Sequence, residues 1–310
     1  MIVTIKGVWR CAVTQHNNYV KDAIKAELAK IVRPAQRHEY DVIQFVQNNL
    51  APILDPGETD YASVITDFDT VFPETRPDRV RAMQLLKAVF NYKKFRDEKI
   101  GWGAYQLCLR SSSRTCPYCH LVHTTTSMPK NGKGGFRPQL DHFYARATYP
   151  FLGLSLGNLV PCCAECNGPM MKLDVNCFSV PHLHPQADDE SLQFRLEAKK
   201  PHERDLPDFQ AFRMPMESYC ISVGITGNTA KAQASLETFQ LAERYEPQLW
   251  RAYQVARIAR RSRGWVKSVF AAVGLLPTPT ENLGFDPGGE EYRRVTTGKM
   301  CRDVYLQAGK

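Results

Sequence analysis

Two stripes of apolar residues with helical spacing lie in the first third of the chain, one ahead of Pro34 and one after Pro77. Their members are Val20, Ile24, Leu28 and Ile31 in the first stripe and Val80, Met83, Leu86 and Phe90 in the second. Side chains three or four positions apart share one face of an α-helix, so each stripe predicts an amphipathic helix. Helical character resumes toward Leu109 and is expected to stop at the serines that follow.

Between these stripes the pattern is lost. Residues 54–77 are rich in Asp, Pro and Thr, which predicts a surface connection with little regular structure. From Cys116 to Phe178 cysteines, glycines, prolines and short apolar runs replace the helical period, which indicates a compact unit organised by metal. Within it, residues 127–137 (SMPKNGKGGFR) are expected to form a flexible basic loop.

The last part of the chain begins with a strand pattern. Its apolar members, separated by single residues, are Tyr219, Ile221, Val223 and Ile225. This period of two predicts a strand, and a long helical stretch is predicted at residues 229–270, interrupted or kinked near Pro247. Proline and glycine clusters from Pro277 onward predict a loosely structured tail.

These patterns predict an α+β protein that is predominantly α-helical. The expected regions are an N-terminal helical region at 1–115, a central unit at 116–178 and a C-terminal strand-plus-helix region at 179–310. With 310 residues and 43% hydrophobic content, the chain can fill a substantial core. No apolar run approaches the ~18 residues of a membrane span, and the N-terminus lacks the layout of a signal peptide, so a cytoplasmic location is expected.

Cysteine spacing carries the first chemical signal. The ten cysteines include two Cys-x-x-Cys pairs, Cys116 with Cys119 and Cys163 with Cys166. In a reducing compartment such pairs favour metal ligation over disulfides, and four thiolates around one ion leave no open position for water or substrate. The sequence therefore predicts a structural zinc, with free buried cysteines as the alternative.

Neighbouring residues leave the ligand set open at two points. Cys162 adjoins Cys163 and is able to replace it, although Cys163 has the gap of two residues to Cys166. His120 and His123 follow the first pair, and ordinary surface or supporting roles are expected for both.

The formal charge of +8 suits a partner that carries phosphates, although many proteins of this size reach this value without binding nucleic acid. Four zinc-bound thiolates would lower the charge of the folded protein to about +6.

The candidate catalytic residues lie between the cysteine pairs and just after them. Phosphodiester hydrolysis needs a base to activate water and a cation to neutralise charge on the leaving oxygen. His142 is the natural base, its neighbour Asp141 offers hard oxygen ligands for Mg²⁺ or Mn²⁺, and Asn167 can complete that site. Asn158 is suited to bracing the loop that carries His142, and Lys172 can meet a phosphate.

The order of these motifs resembles the HNH nuclease family. Cys-x-x-Cys, Asp-His, Asn-Leu-Val-Pro and Cys-x-x-Cys-Asn follow one another in the chain. The resemblance implies a ββα-metal unit, a two-stranded hairpin and a helix around one divalent ion. It further implies that His142 is the general base, that Asp141 and Asn167 bind the catalytic metal, and that Asn158 positions the base.

A narrower resemblance covers more of the chain. The segments KFRDEKIGWGAYQLCLRSSSRTCPYC, LDHFYARATYPFLGLSLGNLVPCCAECN, the His184-Pro185 turn and ETFQLAERYEP are similar to PtuB, the HNH component of Septu-type anti-phage systems and related retron effectors. The chain has Ala145-Arg146 where that pattern has Pro-Lys, and Cys162 where a small polar residue is usual. The resemblance implies an ABC/SMC-like ATPase as partner, and for retron systems also a reverse transcriptase and a noncoding RNA.

Several residues have a less specific signal. Arg146 and His184 are further candidates for a phosphate contact, although a structural turn is the favoured interpretation for His182 and His184. A basic run lies on a predicted helix and either follows a phosphate backbone or forms an ordinary solvated face. Its members are Arg257, Arg260, Arg261, Arg263 and Lys267. No phosphate-binding P-loop sequence occurs, so any nucleotide hydrolysis must come from another protein.

The sequence thus predicts a metal-dependent endonuclease of cytoplasmic location that cuts nucleic acid, with DNA favoured over RNA such as tRNA. A site that contacts phosphates carries little base information, which leaves the substrate open. The alternative from another class is a non-catalytic zinc-binding adaptor for nucleic acid or protein.

Overall fold

The computed structural model describes residues 2–31, 33–55, 57, 59–128, 135–172, 175–261 and 277–309. It divides into two compact units. The helical unit consists of Ile5–Ser113 and Thr124–Val180, and the sheet unit consists of Met1–Thr4, Arg114–His123 and Pro181–Lys310. The predicted N-terminal region and most of the predicted central segment therefore share one unit, whereas the prediction placed them in consecutive regions.

Within the described residues, six α-helices and one small hairpin form the helical unit. They are α1 (Val13–Leu28), α2 (Arg37–Leu54), α3 (Ala62–Val71), α4 (Arg79–Val89), α5 (Tyr92–Asp97), α6 (Ala104–Leu109), β1 (Gln139–His142) and β2 (Leu159–Cys162). The strands pair antiparallel. An aromatic cluster packs α2 and α3 against the turn before β2, with ring centroids of Phe45 and Phe68 at 5.1 and 4.9 Å from that of Phe151.

The two stripes of apolar residues form helices as predicted. Val20 and Ile24 are buried in α1, and Leu86 is buried in α4, whereas Val80 is exposed because the buried face of α4 runs through Ala82 instead. The predicted helical stretch up to Leu109 is broken into α5 and α6.

The prediction of little regular structure at residues 54–77 was wrong. Helix α3 lies there and buries Val64, Ile65 and Phe68, which share one face at spacings of one and three. The Asp and Thr residues that suggested a surface connection include Thr66, Asp69 and Thr70 on the exposed face of this helix.

The sheet unit is built around a second antiparallel hairpin. Its elements are β3 (Leu192–Ala198), α7 (Pro207–Gln210), β4 (Tyr219–Ile225), α8 (Thr229–Thr238), α9 (Leu241–Tyr245), α10 (Leu249–Arg261), α11 (Pro279–Leu283) and α12 (Gly298–Ala308). Strand β4 confirms the strand that the alternation in the sequence predicted, and it pairs with β3 in full register from Leu192 opposite Ile225 to Ala198 opposite Tyr219.

The predicted long helix is divided where the backbone changes conformation. Gln240 takes a left-handed conformation between α8 and α9, and a short 3₁₀ turn at Glu246–Gln248 confirms the interruption near Pro247. Arg263, Lys267 and the end of the predicted stretch lie outside the described residues, as does residue range 129–134 of the predicted basic loop. On either side of that range Ser127 and Phe136 pair through two backbone hydrogen bonds.

The prediction of a loosely structured tail after Pro277 was also wrong. Helix α12 buries Met300, Cys301 and Val304, and its Asp303 accepts a hydrogen bond of 3.0 Å from the backbone N–H of Phe194 in β3. The proline and glycine clusters lie before this helix. No helix in the described part of the chain is long and apolar enough to cross a membrane.

Candidate functional site

The short hairpin of the helical unit carries the predicted catalytic pair. Asp141 lies opposite Val160 and His142 opposite Leu159, whose carbonyl accepts a hydrogen bond of 2.9 Å from the indole N–H of Trp9. Side chains alternate across a strand, so Asp141 projects from one face of β1 and His142 from the other. The two side chains are therefore in different surroundings, although the residues are adjacent in the chain.

The imidazole of His142 is held in one tautomer. Its Nε2 lies 3.0 Å from the carbonyl oxygen of Gly153, and a carbonyl only accepts, so Nε2 carries the proton. Nδ1 is then left as the acceptor. Burial lowers the pKa of His142 to about 4, which the Gly153 contact opposes only in part. The ring is therefore neutral at physiological pH, the form in which a histidine can take a proton.

Two further side chains surround His142, and only one of them was a predicted site residue. The ring of Tyr92 meets the imidazole edge to face at 4.4 Å, and the guanidinium of Arg146 lies 5.2 Å from the centre of the same tyrosine ring. Arg146 is exposed and therefore presents a cation beside His142. Tyr92 and Gly153 were missed: Tyr92 comes from α5, 50 positions before His142 in the chain, and no sequence pattern marks it.

Asn158 fixes both ends of the loop between the strands. Its side-chain oxygen accepts from the backbone N–H of Tyr144 at 2.7 Å, and its amide donates to the carbonyls of Tyr144 and Leu152, both at 3.1 Å. The backbone of Asn158 also accepts from Phe143 at 2.9 Å. The loop from Phe143 to Leu152 therefore has its shape set by one buried amide.

Replacing Asn158 with alanine is expected to lower the free energy of unfolding by about 2–5 kcal/mol, because three backbone groups lose their partner in a buried place. Chemical denaturation measures this. The control is Asn282→Ala, since Asn282 is exposed and its loss is expected to cost less than about 0.5 kcal/mol. Equal stabilities of the two variants would contradict the bracing role.

Asp141 is buried and has a buried partner. Nζ of Lys172 lies 3.0 Å from Oδ1 of Asp141 and 3.0 Å from the carbonyl oxygen of His142. The sequence suggested that Lys172 meets a phosphate, but the structure commits its ammonium group to these two oxygens, and only 3% of the residue is exposed. Lys172 supplies the positive charge at the carboxylate where a metal was predicted.

Asn167 lies on the same side of β1 as Asp141. Its amide donates to the side-chain oxygen of Gln139 at 2.7 Å, and Gln139 and Asp141 are two positions apart on the strand. A carboxylate and an amide oxygen are ligands that Mg²⁺ accepts, so the donor chemistry fits. For Mg²⁺ to bind Asp141, the ammonium group of Lys172 must either move away from the Asp141 oxygen that it contacts or share this oxygen with the ion.

The described residues after the hairpin do not confirm the helix implied for a ββα unit. Residues 163–172 and 175–180 consist of turns and irregular backbone and contain no α-helix. The structure thus shows an α-rich protein with two small sheets and a cysteine cluster, and a complete ββα unit is not shown.

The four predicted cysteines form one buried cluster. The sulfur atoms of Cys116, Cys119, Cys163 and Cys166 all lie within 4.8 Å of one another. This cluster can hold a structural metal such as zinc, because thiolates are the ligands of closed tetrahedral zinc sites. Cys162 is buried as well but is not among the four, and the cluster contains no histidine.

The first cysteine pair ends at a residue with a left-handed backbone. His120 has φ of 57°, and its peptide oxygen accepts from Thr297 at 2.7 Å. Its Nε2 donates to the carbonyl of Arg293 at 3.3 Å, and its Nδ1 accepts from the N–H of Lys299 at 3.3 Å. Both ring nitrogens are thus occupied by the main chain, which explains why His120 is no metal ligand.

The two later histidines are located in the sheet unit. Nε2 of His182 lies 2.9 Å from the hydroxyl of Thr238, and Nδ1 of His184 accepts from the N–H of Gln186 at 3.1 Å. The N–H of His184 donates to Asp188 at 2.7 Å. These contacts are typical of a structured turn, the favoured interpretation of the sequence.

Comparison of the chain with known proteins gives no match to a protein-family model and no significant match to a curated protein or a solved structure.

Proposed function

We propose that the protein is a metal-dependent endonuclease of the HNH type that hydrolyses phosphodiester bonds of nucleic acid, with DNA favoured. The observation that carries this proposal is the state of His142. Its ring is neutral, its Nδ1 is kept as an acceptor by the Gly153 contact, and it stands next to a buried carboxylate, Asp141. Hydrolysis of a phosphodiester requires at least a base with an available lone pair and, close to it, oxygen ligands that can bind a divalent metal ion.

In this proposal Nδ1 of His142 removes a proton from the water that attacks phosphorus, the bond from phosphorus to the 3′-oxygen breaks, and a 5′-phosphate is left. Arg146, exposed beside the Tyr92 ring, holds the phosphate by its charge, and Asn158 maintains the loop that carries the Gly153 carbonyl. Asp141 and Asn167 would bind Mg²⁺ or Mn²⁺, which neutralises charge on the leaving oxygen when bound. In-line attack places nucleophile and leaving oxygen on opposite sides of phosphorus, so His142 and Asp141 have no need to touch.

Cleavage of a labelled DNA and a labelled tRNA is expected with Mg²⁺ or Mn²⁺ and is expected to stop in EDTA, because the leaving oxygen loses its counter-charge. Elemental analysis of the same samples is expected to show unchanged zinc, since a buried cluster of four cysteines releases its ion slowly. Restored cleavage on adding Mg²⁺ completes the test. Cleavage that continues in EDTA with zinc retained would overturn the proposed metal site.

The defence role is a further part of the proposal. It rests on the resemblance of residues 140–167 and their flanks to PtuB components, which act beside an ABC/SMC-like ATPase. An adjacent ATPase gene, or a reverse transcriptase gene with a structured noncoding RNA, would support it. The cleavage assay is repeated with that ATPase, because a nuclease that is inhibited alone would otherwise be missed.

One observation favours a second candidate, a non-catalytic zinc-binding adaptor. Lys172 already neutralises Asp141, as expected for a carboxylate kept for structure. In an adaptor, binding of nucleic acid persists and neither Mg²⁺ nor the ATPase produces cleavage. The EDTA and ATPase assays therefore separate the two functions.

A further inference from the structure

A cleft with arginines on both walls lies in the sheet unit. It encloses about 590 Å³ between α10 and the segment from Ala211 to Pro215. Four of the eight residues that line it are arginines, namely Arg213, Arg257, Arg260 and Arg261. Three of these come from α10 at spacings of three and one, so they lie on one side of the helix together with Tyr253, which also lines the cleft.

The positive charge of this cleft has little compensation. Among the described residues, Arg213 has one carboxylate partner, Asp208, at 3.3 Å, and both side chains are mostly exposed. A surface pair of this kind contributes little and is readily exchanged. No ion pair of Arg257, Arg260 or Arg261 occurs within the same described residues. The sequence from residue 247 to 280 contains no Asp or Glu at all.

The walls of the cleft are fixed before any ligand arrives. The hydroxyl of Tyr253 in α10 donates to the carbonyl of Met214 in the opposite wall at 2.8 Å. Phe212, with φ of 52°, packs its ring 5.9 Å from that of Tyr219. The guanidinium of Arg257 lies 5.7 Å from the centre of the Tyr253 ring, which orients it while leaving its N–H groups for a ligand.

The chemistry of the walls selects a class of ligand. Phe212 and Tyr253 are buried, so their faces are not available for stacking on a base. A free nucleotide gains much of its affinity from contacts to the base, whereas a nucleic-acid backbone is bound through its phosphates. Several guanidiniums spread over two walls, without a stacking surface, match a run of phosphodiesters.

We infer that this arginine cleft binds the phosphodiester backbone of nucleic acid without regard to sequence. The inference rests on the proposed function only for the choice of nucleic acid, because the cleft shares no residue with the hairpin of His142. It assigns to the sheet unit the task of holding the strand, separately from the chemistry.

The test is fluorescence anisotropy of the full-length protein with a fluorescein-labelled 20-nucleotide DNA of mixed sequence, in EDTA. The variant Arg260→Gln/Arg261→Gln is expected to bind at least ~10-fold more weakly at 50 mM salt. Its slope of log affinity against log salt is expected to be smaller by about 1.4–1.8, the value for two lost phosphate contacts. Arg213→Gln, on the other wall, is expected to reduce the slope by about half that amount.

The control removes the same charge elsewhere in the sheet unit. Arg195 and Lys199 are exposed on and after β3, and Arg195→Gln/Lys199→Gln is expected to leave affinity and slope within about twofold of the parent. If the control variant lost as much affinity for DNA as the cleft variant, the loss would come from the change in net charge and not from the cleft. That result would overturn the inference. Unchanged binding in the cleft variant would overturn it directly.

A free-nucleotide site is a distinct outcome of the same experiment. If ATP binds at micromolar concentration and displaces the labelled DNA, and the cleft variant loses ATP binding, the cleft is a nucleotide site and the inference fails. Cleavage is measured separately. A protein that binds through the cleft but never cuts removes the nuclease proposal alone, and a protein that cuts without needing the cleft removes this inference alone.

Discussion

Replacing His142 with glutamine is expected to lower nucleic-acid cleavage by about 10²- to 10⁴-fold, the usual contribution of a general base. The glutamine amide can still donate to the Gly153 carbonyl as Nε2 of His142 does, so the loop is expected to keep its shape. What is lost is the lone pair of Nδ1. Single-turnover cleavage with saturating Mg²⁺ measures the effect, and binding of the same DNA in EDTA is expected to be unchanged.

Chemical rescue distinguishes a base from a structural histidine. In His142→Ala, added imidazole is expected to restore part of the cleavage rate, because a free base can then occupy the space of the ring. The control is His202→Ala, since His202 is exposed and belongs to the sheet unit, whereas β1 and its loop belong to the helical unit. Full activity of the glutamine variant, or loss of activity in the His202 variant to the same degree, would remove His142 from the mechanism.

Replacing Cys163 with alanine is expected to cost the protein its zinc and most of its stability. Structural zinc contributes apparent free energies of ~10–16 kcal/mol in zinc-finger peptides, which is as large as the whole stability of a typical domain. Loss of one of four thiolates removes enough of that energy to unfold much of the chain. Zinc per chain, by elemental analysis, is expected to fall from about one to near zero, with loss of cooperative unfolding.

The adjacent residue provides a matched control. Cys162 is as buried as Cys163 but lies outside the cluster of four sulfurs. Cys162→Ala is expected to keep one zinc and to lose only about 1 kcal/mol for the small cavity it leaves. If Cys162→Ala lost the zinc and Cys163→Ala kept it, the ligand set would be Cys116, Cys119, Cys162 and Cys166.

Helices and strands whose apolar residues recur at a regular spacing could be predicted from the sequence. A helix with many polar residues that are typical of loops could not. Helix α1 and strand β4 follow from their apolar spacing alone. Helix α3 was hidden by Asp and Thr on its exposed face. Strand β3 was not predicted, although Leu192, Phe194 and Leu196 alternate as clearly as the residues of β4.

In the candidate site, the spacing of residues along the sequence predicted the features that depend only on short turns of the chain. Two Cys-x-x-Cys pairs were enough to predict the cluster, because each pair is a short turn whose thiolates face one point. The contacts of His142 depend on packing between distant segments. Tyr92 reaches the imidazole from helix α5, and the ion pair of Lys172 with Asp141 joins residues 31 positions apart. A spacing pattern holds no information about which of two acceptable partners, metal or lysine, a carboxylate meets.

The hydrogen bonds around His120 have a consequence for the order in which the chain can fold. The turn that carries Cys116 and Cys119 is tied to the main chain at Arg293, Thr297 and Lys299, more than 170 positions later. During synthesis this turn leaves the ribosome long before its partners exist. Contacts so distant in sequence close slowly, because the entropy of the intervening loop must be lost first. The four cysteines can meet at one metal ion as soon as Cys166 has been made, whereas the backbone hydrogen bonds that hold the turn of the first pair form only after translation has reached residue 299.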